Sequence, residues 1–479
     1  MKLRIQQGDI HLTDLRTRMP FKYGIATMTS TPHVFLRLWV EVDGKVYAGI
    51  AADSLPPKWF TKDPARPLGE EVAEMLGVIE HALQSAIGIT AKTPFAAWQR
   101  LYAAQADWGQ SEKLPPLLSN FGAALVERAM IEAVCKAAGR PFAEVVRTNQ
   151  LGIRLGDLHA SLAGTEPADF VPDRPLRQIT IRQTVGLADP LEDPDVPRSE
   201  RVDDGLPQSL AACICFYGLR HFKIKLSGKI EHDRERLQRI AALIERLAAT
   251  DYAFTLDGNE QFHALAEFQE FWGILACSAD LRAFFQHLLF VEQPFHRAVA
   301  LEPSAVGRLR EWTDCPAVII DESDGALDSL PRALALGYAG ASYKNCKGVF
   351  KGIANYCLLK QRQQKEPGRP ALMSGEDLVN IGPVALIQDL AACAALGLES
   401  VERNGHHYFA GLSMFPRQVQ ERVLRAHSEL YHAASRPWPT LRIKEGKIAL
   451  GAINMAPFGV GFDLDVTQFT DRPQWRYTT

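Results

Sequence analysis

Between residues 177 and 401 the chain carries eight short apolar runs, most of them 20 to 35 residues apart. They are Ile179-Thr180-Ile181 and the segments 222–226, 253–256, 288–291, 317–320, 341–343, 371–373 and 398–401. Helical text lies between them. In the clearest case Leu237, Ile240, Leu243, Ile244 and Leu247 fall on one stripe of a 3.6-residue period. Near-continuous apolar strands alternating with amphipathic helices predict a parallel sheet covered on both faces, and eight such units point to a closed (β/α) barrel rather than an open doubly wound sheet.

The chain before this region reads differently. The run Val34 to Val42 turns at Asp43-Gly44 into Lys45 to Ile50, and Asp-Gly between two strand-like runs is a strong hairpin signal. Helical text follows over 123–134 and ends near Gly139-Arg140-Pro141. Residues 1–150 are therefore expected to form an α+β module, residues 177–438 the barrel, and 439–479 a tail. The strand-like Lys447-Ile448-Ala449-Leu450 of the tail is expected to pack back on the N-terminal module.

At 479 residues the chain exceeds one ordinary domain. With 53 basic against 56 acidic side chains it has no cationic surplus to attract nucleic acid or an anionic membrane. Eight scattered cysteines with no zinc or redox spacing fit a reduced, cytoplasmic protein. The N-terminus lacks the apolar core of a signal peptide, and no run approaches the roughly 18 apolar residues of a membrane span. The acidic, proline-rich segment 188–207 follows the first barrel strand and reads as a solvated insertion ahead of a mobile lid.

Strand after strand ends in charge. The second ends in Lys223-Ile224-Lys225, the third in Asp257-Gly258-Asn259, the fourth in Glu292-Gln293-Pro294, the fifth in Asp321-Glu322-Ser323 and the sixth in Lys344-Asn345. In a parallel barrel these ends share one mouth, where catalytic groups gather. Three carboxylates from neighbouring strands form a hard oxygen site that suits Mg²⁺, with Mn²⁺ as a substitute, whereas zinc would call for His or Cys. Lys225 and Lys344 come from opposite sides of the carboxylates and can act as two bases. Lys223, two residues before Lys225 on the same face, is expected to lower the pKa of Lys225 and so favour its use as a base.

These residues resemble the enolase superfamily, and within it the muconate-lactonizing-enzyme-like and mandelate-racemase-like members. The matching text is Lys223-x-Lys225, Asp257-x-Asn259, Glu292-Gln293-Pro294, Asp321-Glu322-Ser323 and Lys344-x-x-Lys347-Gly348. The phrases Pro20-Phe21-Lys22-Tyr23-Gly24 and Glu127-Arg128-Ala129 look like that family's capping domain. The resemblance implies a modified (β/α)7β barrel with an N-terminal α+β capping domain completed by the C-terminal tail. It implies Mg²⁺ held by Asp257, Glu292 and Asp321, Lys225 and Lys344 as acid/base residues on opposite faces, and an enediolate formed from a carboxylate substrate. Such sites pair a Lys or His base with Mg²⁺. A homo-oligomer acting on a small carboxylate is expected. Val349 stands where the family often has a second glycine, and the seventh strand ends Ser374-Gly375-Glu376-Asp377 without the histidine of the mandelate-racemase branch.

Racemisation or epimerisation suits two opposed lysines, one removing a proton and the other returning it on the opposite face. The alternatives keep the same enolate but end in β-elimination or cycloisomerisation. A Schiff-base aldolase has no use for the carboxylates, and a silent binding barrel has no reason to keep the whole set. Substrate contacts are expected from Asn259, Ser374, Glu376, Asn404 and His406 at strand ends. Lys22 and Tyr23, with Lys58 and Trp59, are expected from the cap.

Overall fold

The computed structural model describes residues 1–23, 25–248, 251–307, 309–433 and 436–477; the Tyr23 side chain, a candidate substrate contact, lies outside the described set. Three long antiparallel strands open the chain, Leu3–Tyr23, Ala26–Val42 and Lys45–Ser54. Asp43 (φ 47°) and Gly44 (φ 87°) form the tight turn between the second and third, as the Asp-Gly signal predicts. The register of the first pair slips between Arg16 and Phe21, and beyond the slip Phe21 pairs with Met28 at the tip of the hairpin.

Helix Pro116–Ala138 lies on this sheet and is buried along nearly its whole length. It can approach so closely because Gly49 carries no side chain: a Cβ there would sit 1.9 Å from the Ala129 carbonyl oxygen. The helix carries the Glu127-Arg128-Ala129 phrase. Arg128 donates to Asp53 Oδ2 at 2.7 Å and to the Ala52 carbonyl at 2.9 Å. Glu127 accepts from the Phe350 amide at 2.5 Å and so caps the helix that follows the sixth barrel strand, Val349–Lys365. Glu127 thus joins the cap to the barrel through a buried hydrogen bond.

The eight predicted barrel strands are observed as Gln178–Val185, His221–Lys225, Ala253–Asp257, Leu288–Glu292, Val318–Ile320, Gly340–Tyr343, Leu372–Gly375 and Ser400–Glu402. Neighbours pair in parallel in that order, and the eighth pairs with the first (Val401 with Ile181), closing the ring. This is a (β/α) barrel with an N-terminal antiparallel capping sheet.

Two expectations need correction. Strand Lys447–Ala449 does not return to the N-terminal module; it pairs antiparallel with the first barrel strand (Ile448 with Ile179), and the short strand Thr470–Asp471 is what reaches Leu12 and His11 of the cap. Nor is 188–207 a freely solvated excursion. Leu191 and Val196 are buried, and Asp204 takes Arg18 of the first cap strand at 2.5 Å. Arg18 also donates to the carbonyls of Leu206 and His407, which ties the segment to the turn after the eighth strand.

All eight cysteines are unpaired, five of them buried. No helix among the described residues is long and apolar enough to cross a membrane. Substituting Gly49→Ala forces the cap sheet and helix Pro116–Ala138 apart, a clash between two backbones with no flexible side chain to yield. The expected destabilisation is about 1–3 kcal/mol or more, read as a lower thermal unfolding midpoint.

Candidate active site

The barrel mouth collects charged side chains from the ends of the second to eighth strands, and residues two apart on a strand share a face. Lys223 and Lys225 both project inward from the second strand. Lys223 is buried, its Nζ 2.8 Å from Glu292, 2.9 Å from Glu402 and 3.1 Å from both Glu376 and Asp257. Lys225 Nζ lies 2.5 Å from Asp257 Oδ2. Across the barrel, Lys344 Nζ lies 2.8 Å from both oxygens of Asp321 and 2.7 Å from Glu376, while Lys347 donates to Asp321 at 2.7 Å. The second and sixth strands stand four places apart in the ring of eight, so Lys225 and Lys344 face one cavity from opposite sides.

Charge sets the protonation of the group. Burial alone would push Lys225 down, and Lys223 adds to that push, but Asp257, with Glu402 and Glu292 behind it, leaves Lys225 above its ordinary value. The sequence expectation of a lowered Lys225 is therefore wrong for this arrangement, because it left out the carboxylate 2.5 Å away. Lys344 is likewise raised against burial by Asp321 and Glu376. Glu376 is held well below the usual carboxylate range by Lys223 and Lys344, against its burial. Glu292 goes the other way: burial, followed by repulsion from Glu376, raises it well above the ordinary value.

Glu292, Asp321 and Glu376 bring one carboxylate oxygen each within 4.8 Å of one another, the one grouping of this kind found among the described residues. Glu292 is fully buried there, with Oε2 2.8 Å from the Lys223 ammonium that it shares with Glu376, Glu402 and Asp257. A hard divalent cation fits a buried cluster whose donors are all carboxylate oxygens. Asp257, which the resemblance names as a ligand, is turned instead onto Lys225 and Lys223. Glu376, expected only as a substrate contact, takes a place in the cluster.

The other expected residues divide. Asn259 (φ 43°) and Asn404 line the cavity. The Asn404 side chain is spent on Thr184 and Glu402. Ser374 lies beneath the mouth, bonded to Arg182 at 2.5 Å and Glu376 at 2.7 Å, and does not line the cavity. His406 is buried in a separate cavity behind the eighth strand, with Nε2 3.2 Å from Gln183. Lys22 is exposed; the alternation of the strand turns its neighbour Phe21 into the cavity instead. From the cap, Trp59 lies under Lys344, its ring centroid 5.2 Å from Nζ, and Lys58 is held by Glu71 at 2.9 Å.

Sequence reasoning missed Arg182, although a lone charge inside the first barrel strand was a usable signal: it reaches Glu376 at 3.2 Å. It also missed the pair Glu260 and Arg297, whose loops carry no motif. Arg297 grips both oxygens of Glu260 (2.7 and 2.8 Å) and donates to the carbonyls of Phe60 (2.8 Å) and Trp59 (3.0 Å). Lys62 reaches the Asn259 carbonyl at 2.7 Å. The cap segment 56–62 is thereby sealed over the mouth.

No family model matches the chain, and no curated protein sequence does. Solved structures do. The chain superposes on 2-chloromuconate cycloisomerase from Rhodococcus opacus with a TM-score of 0.62 at 17% identity, covering 97% of this chain and 98% of that one. The fold is that of the mandelate racemase and muconate-lactonizing enzymes. An enolase from Bradyrhizobium complexed with magnesium and mandelic acid gives a TM-score of 0.58 at 15% identity over 98% of both chains. A dipeptide epimerase from Cytophaga hutchinsonii complexed with Mg and D-Ala-L-Val gives 0.55 at 16% identity over 85% of this chain and 89% of that one.

Replacing Arg297 with Leu removes the donors that hold segment 56–62 to the barrel. Backbone amides there are expected to exchange with solvent at least about tenfold faster, the factor that loss of about 1.4 kcal/mol of charge-assisted hydrogen bonding gives. Hydrogen exchange read by mass spectrometry checks this.

Proposed function

We propose that the protein is a Mg²⁺-dependent enzyme that abstracts the α-proton of a small carboxylate and returns a proton to the same carbon, a racemase or epimerase. The observation that carries this reading is the pair Lys225 and Lys344, on diametrically opposite strands, facing one cavity with carboxylates between them. The magnesium-bound neighbours of the same fold and the carboxylate cluster support it. Bound at the cluster, Mg²⁺ supplies the electrostatic stabilisation that an acid's α-carbon needs to release a proton to an amine. Glu292 and Asp321 hold it in either arrangement; Glu376 by proximity, or Asp257 by resemblance, supplies the third oxygen.

The chain's own groups do the rest. As the structure stands, Asp257 and Asp321 hold the two lysines protonated. Where the charge of the carboxylate beside one lysine is shared elsewhere, burial favours its neutral amine, which can take a proton while the other lysine stays an ammonium. The lysine on one face removes it, and the ammonium on the other face returns one, which inverts the centre. Trp59 and the segment sealed by Arg297 exclude water from the exchange.

Two tests bear on this. Chelation with EDTA is expected to abolish turnover, with Mg²⁺ or Mn²⁺ restoring it. Glu292→Gln and Asp321→Asn are each expected to weaken Mn²⁺ binding at least about a hundredfold in calorimetry, and comparing Glu376→Gln with Asp257→Asn identifies the third ligand. Full activity after exhaustive chelation would end the reading.

The second test follows deuterium entry at the α-carbon by NMR. Lys225→Ala is expected to stop exchange from one enantiomer and spare the other, and Lys344→Ala to do the reverse. If one lysine is dispensable for both enantiomers, the reaction is one-base, and elimination or cycloisomerisation replaces racemisation.

A further inference from the structure

The cavity walls differ sharply in what they offer a ligand. On the barrel side stand the lysines and carboxylates. Phe21 and Met28 from the hairpin tip, Leu378 and Val379 from the loop after the seventh strand, and Pro56 and Trp59 from the cap contribute the apolar part of the lining. Phe21 and Met28 are each 3% exposed and face each other across the hairpin, and Phe21 rests on Tyr408 with ring centroids 4.1 Å apart.

The polar side chains along this outer part are already committed to one another. Asn404 is used by Thr184 and Glu402, Asp377 by the amides of Val379 (2.9 Å) and Asn380 (3.1 Å), and Lys58 by Glu71. Arg297 and Glu260 hold each other, and Lys62 is taken by the Asn259 carbonyl (2.7 Å) and by Glu260 (3.3 Å). The exception among the described residues, Glu322 Oε2, stands at the end of the fifth strand, beside the carboxylates rather than among the apolar residues. A polyhydroxylated or distally charged substrate would lose water there and find no free partner.

Val379 sharpens the point. It is a β-branched residue at φ 59°, a conformation such residues rarely adopt, and both oxygens of Asp377 fix the turn that imposes it. The turn sets an isopropyl group in the cavity wall where glycine or asparagine would be the unstrained choice.

We infer that the substrate is a carboxylate whose α-substituent is apolar, a branched alkyl or aryl group seated on Phe21, Met28, Leu378 and Val379, and that Val379 sets this preference. The inference rests on the α-proton chemistry proposed above.

Calorimetric binding to the full chain in saturating Mg²⁺ tests it with four acids: 4-methylpentanoate and phenylacetate against gluconate and succinate. The apolar acids are expected to bind at least about tenfold more tightly. Val379→Thr keeps the shape but adds a hydroxyl, and it is expected to cut 4-methylpentanoate affinity by about tenfold while leaving gluconate unchanged. Met28→Gln, at a position without backbone strain, should act in the same direction. Gluconate or succinate binding as tightly as the apolar acids overturns the inference and leaves the proposed chemistry standing. Unchanged affinity in both variants also overturns it. If no acid shows Mg²⁺-dependent binding, the proposed function fails and takes the inference with it.

Discussion

A buried ammonium ringed by four carboxylates is the interaction around which this barrel mouth is arranged. Lys223 is 2% exposed, and its contacts come from the third, fourth, seventh and eighth strands. Charge taken that far from water is tolerated only when it is matched and hydrogen-bonded. The rest follows from the same demand: Lys344 and Lys347 answer Asp321, Arg182 answers Glu376, and Lys225 answers Asp257. Glu292, Asp321 and Glu376 still crowd three carboxylates together, and that crowding is what suits a cation.

The cap extends this logic outward. Arg128 and Asp53, 0% and 1% exposed at their side chains, lie within the cap, and Asn380 of the barrel donates to the same Asp53. Asn380 also reaches Asp389, which with Asp377 holds Arg403 at the eighth strand. A single chain of buried polar contacts therefore runs from the capping sheet to the strand ends that shape the site. Rigidity at the site is drawn from this network and not from the loops.

Much of this was legible in the sequence, for identifiable reasons. All eight barrel strands could be read because fully buried parallel strands are apolar on both faces, and the charged residues closing five of them marked the mouth. Lys223, Lys225, Asp257, Glu292, Asp321 and Lys344 all project there. What could not be read was the partner of each. The pKa of Lys225 depends on a distance to Asp257 that sequence does not contain. Ser374 and His406 sit at strand ends like true lining residues, yet the barrel's depth and its back face claim them. Glu260 and Arg297 meet only because two loops of unrelated text converge. The tail misled because strand-like text at 447–450 says that a strand will pair, but not with which sheet.

Closure of the barrel joins residues far apart along the chain: Thr184 and Asn404, which hydrogen-bond across the seam, are 220 residues apart. Most of the loop entropy must be lost before that contact forms, and parallel pairing at such separation is intrinsically slow. Until the eighth strand arrives, the first strand has an unsatisfied edge and Lys223 lacks Glu402, one of the four carboxylates that compensate its burial. The nascent chain thus passes through a long interval as an open sheet with apolar, unpaired borders, the kind of species prone to self-association. The same seam that completes the site makes the route to it hazardous.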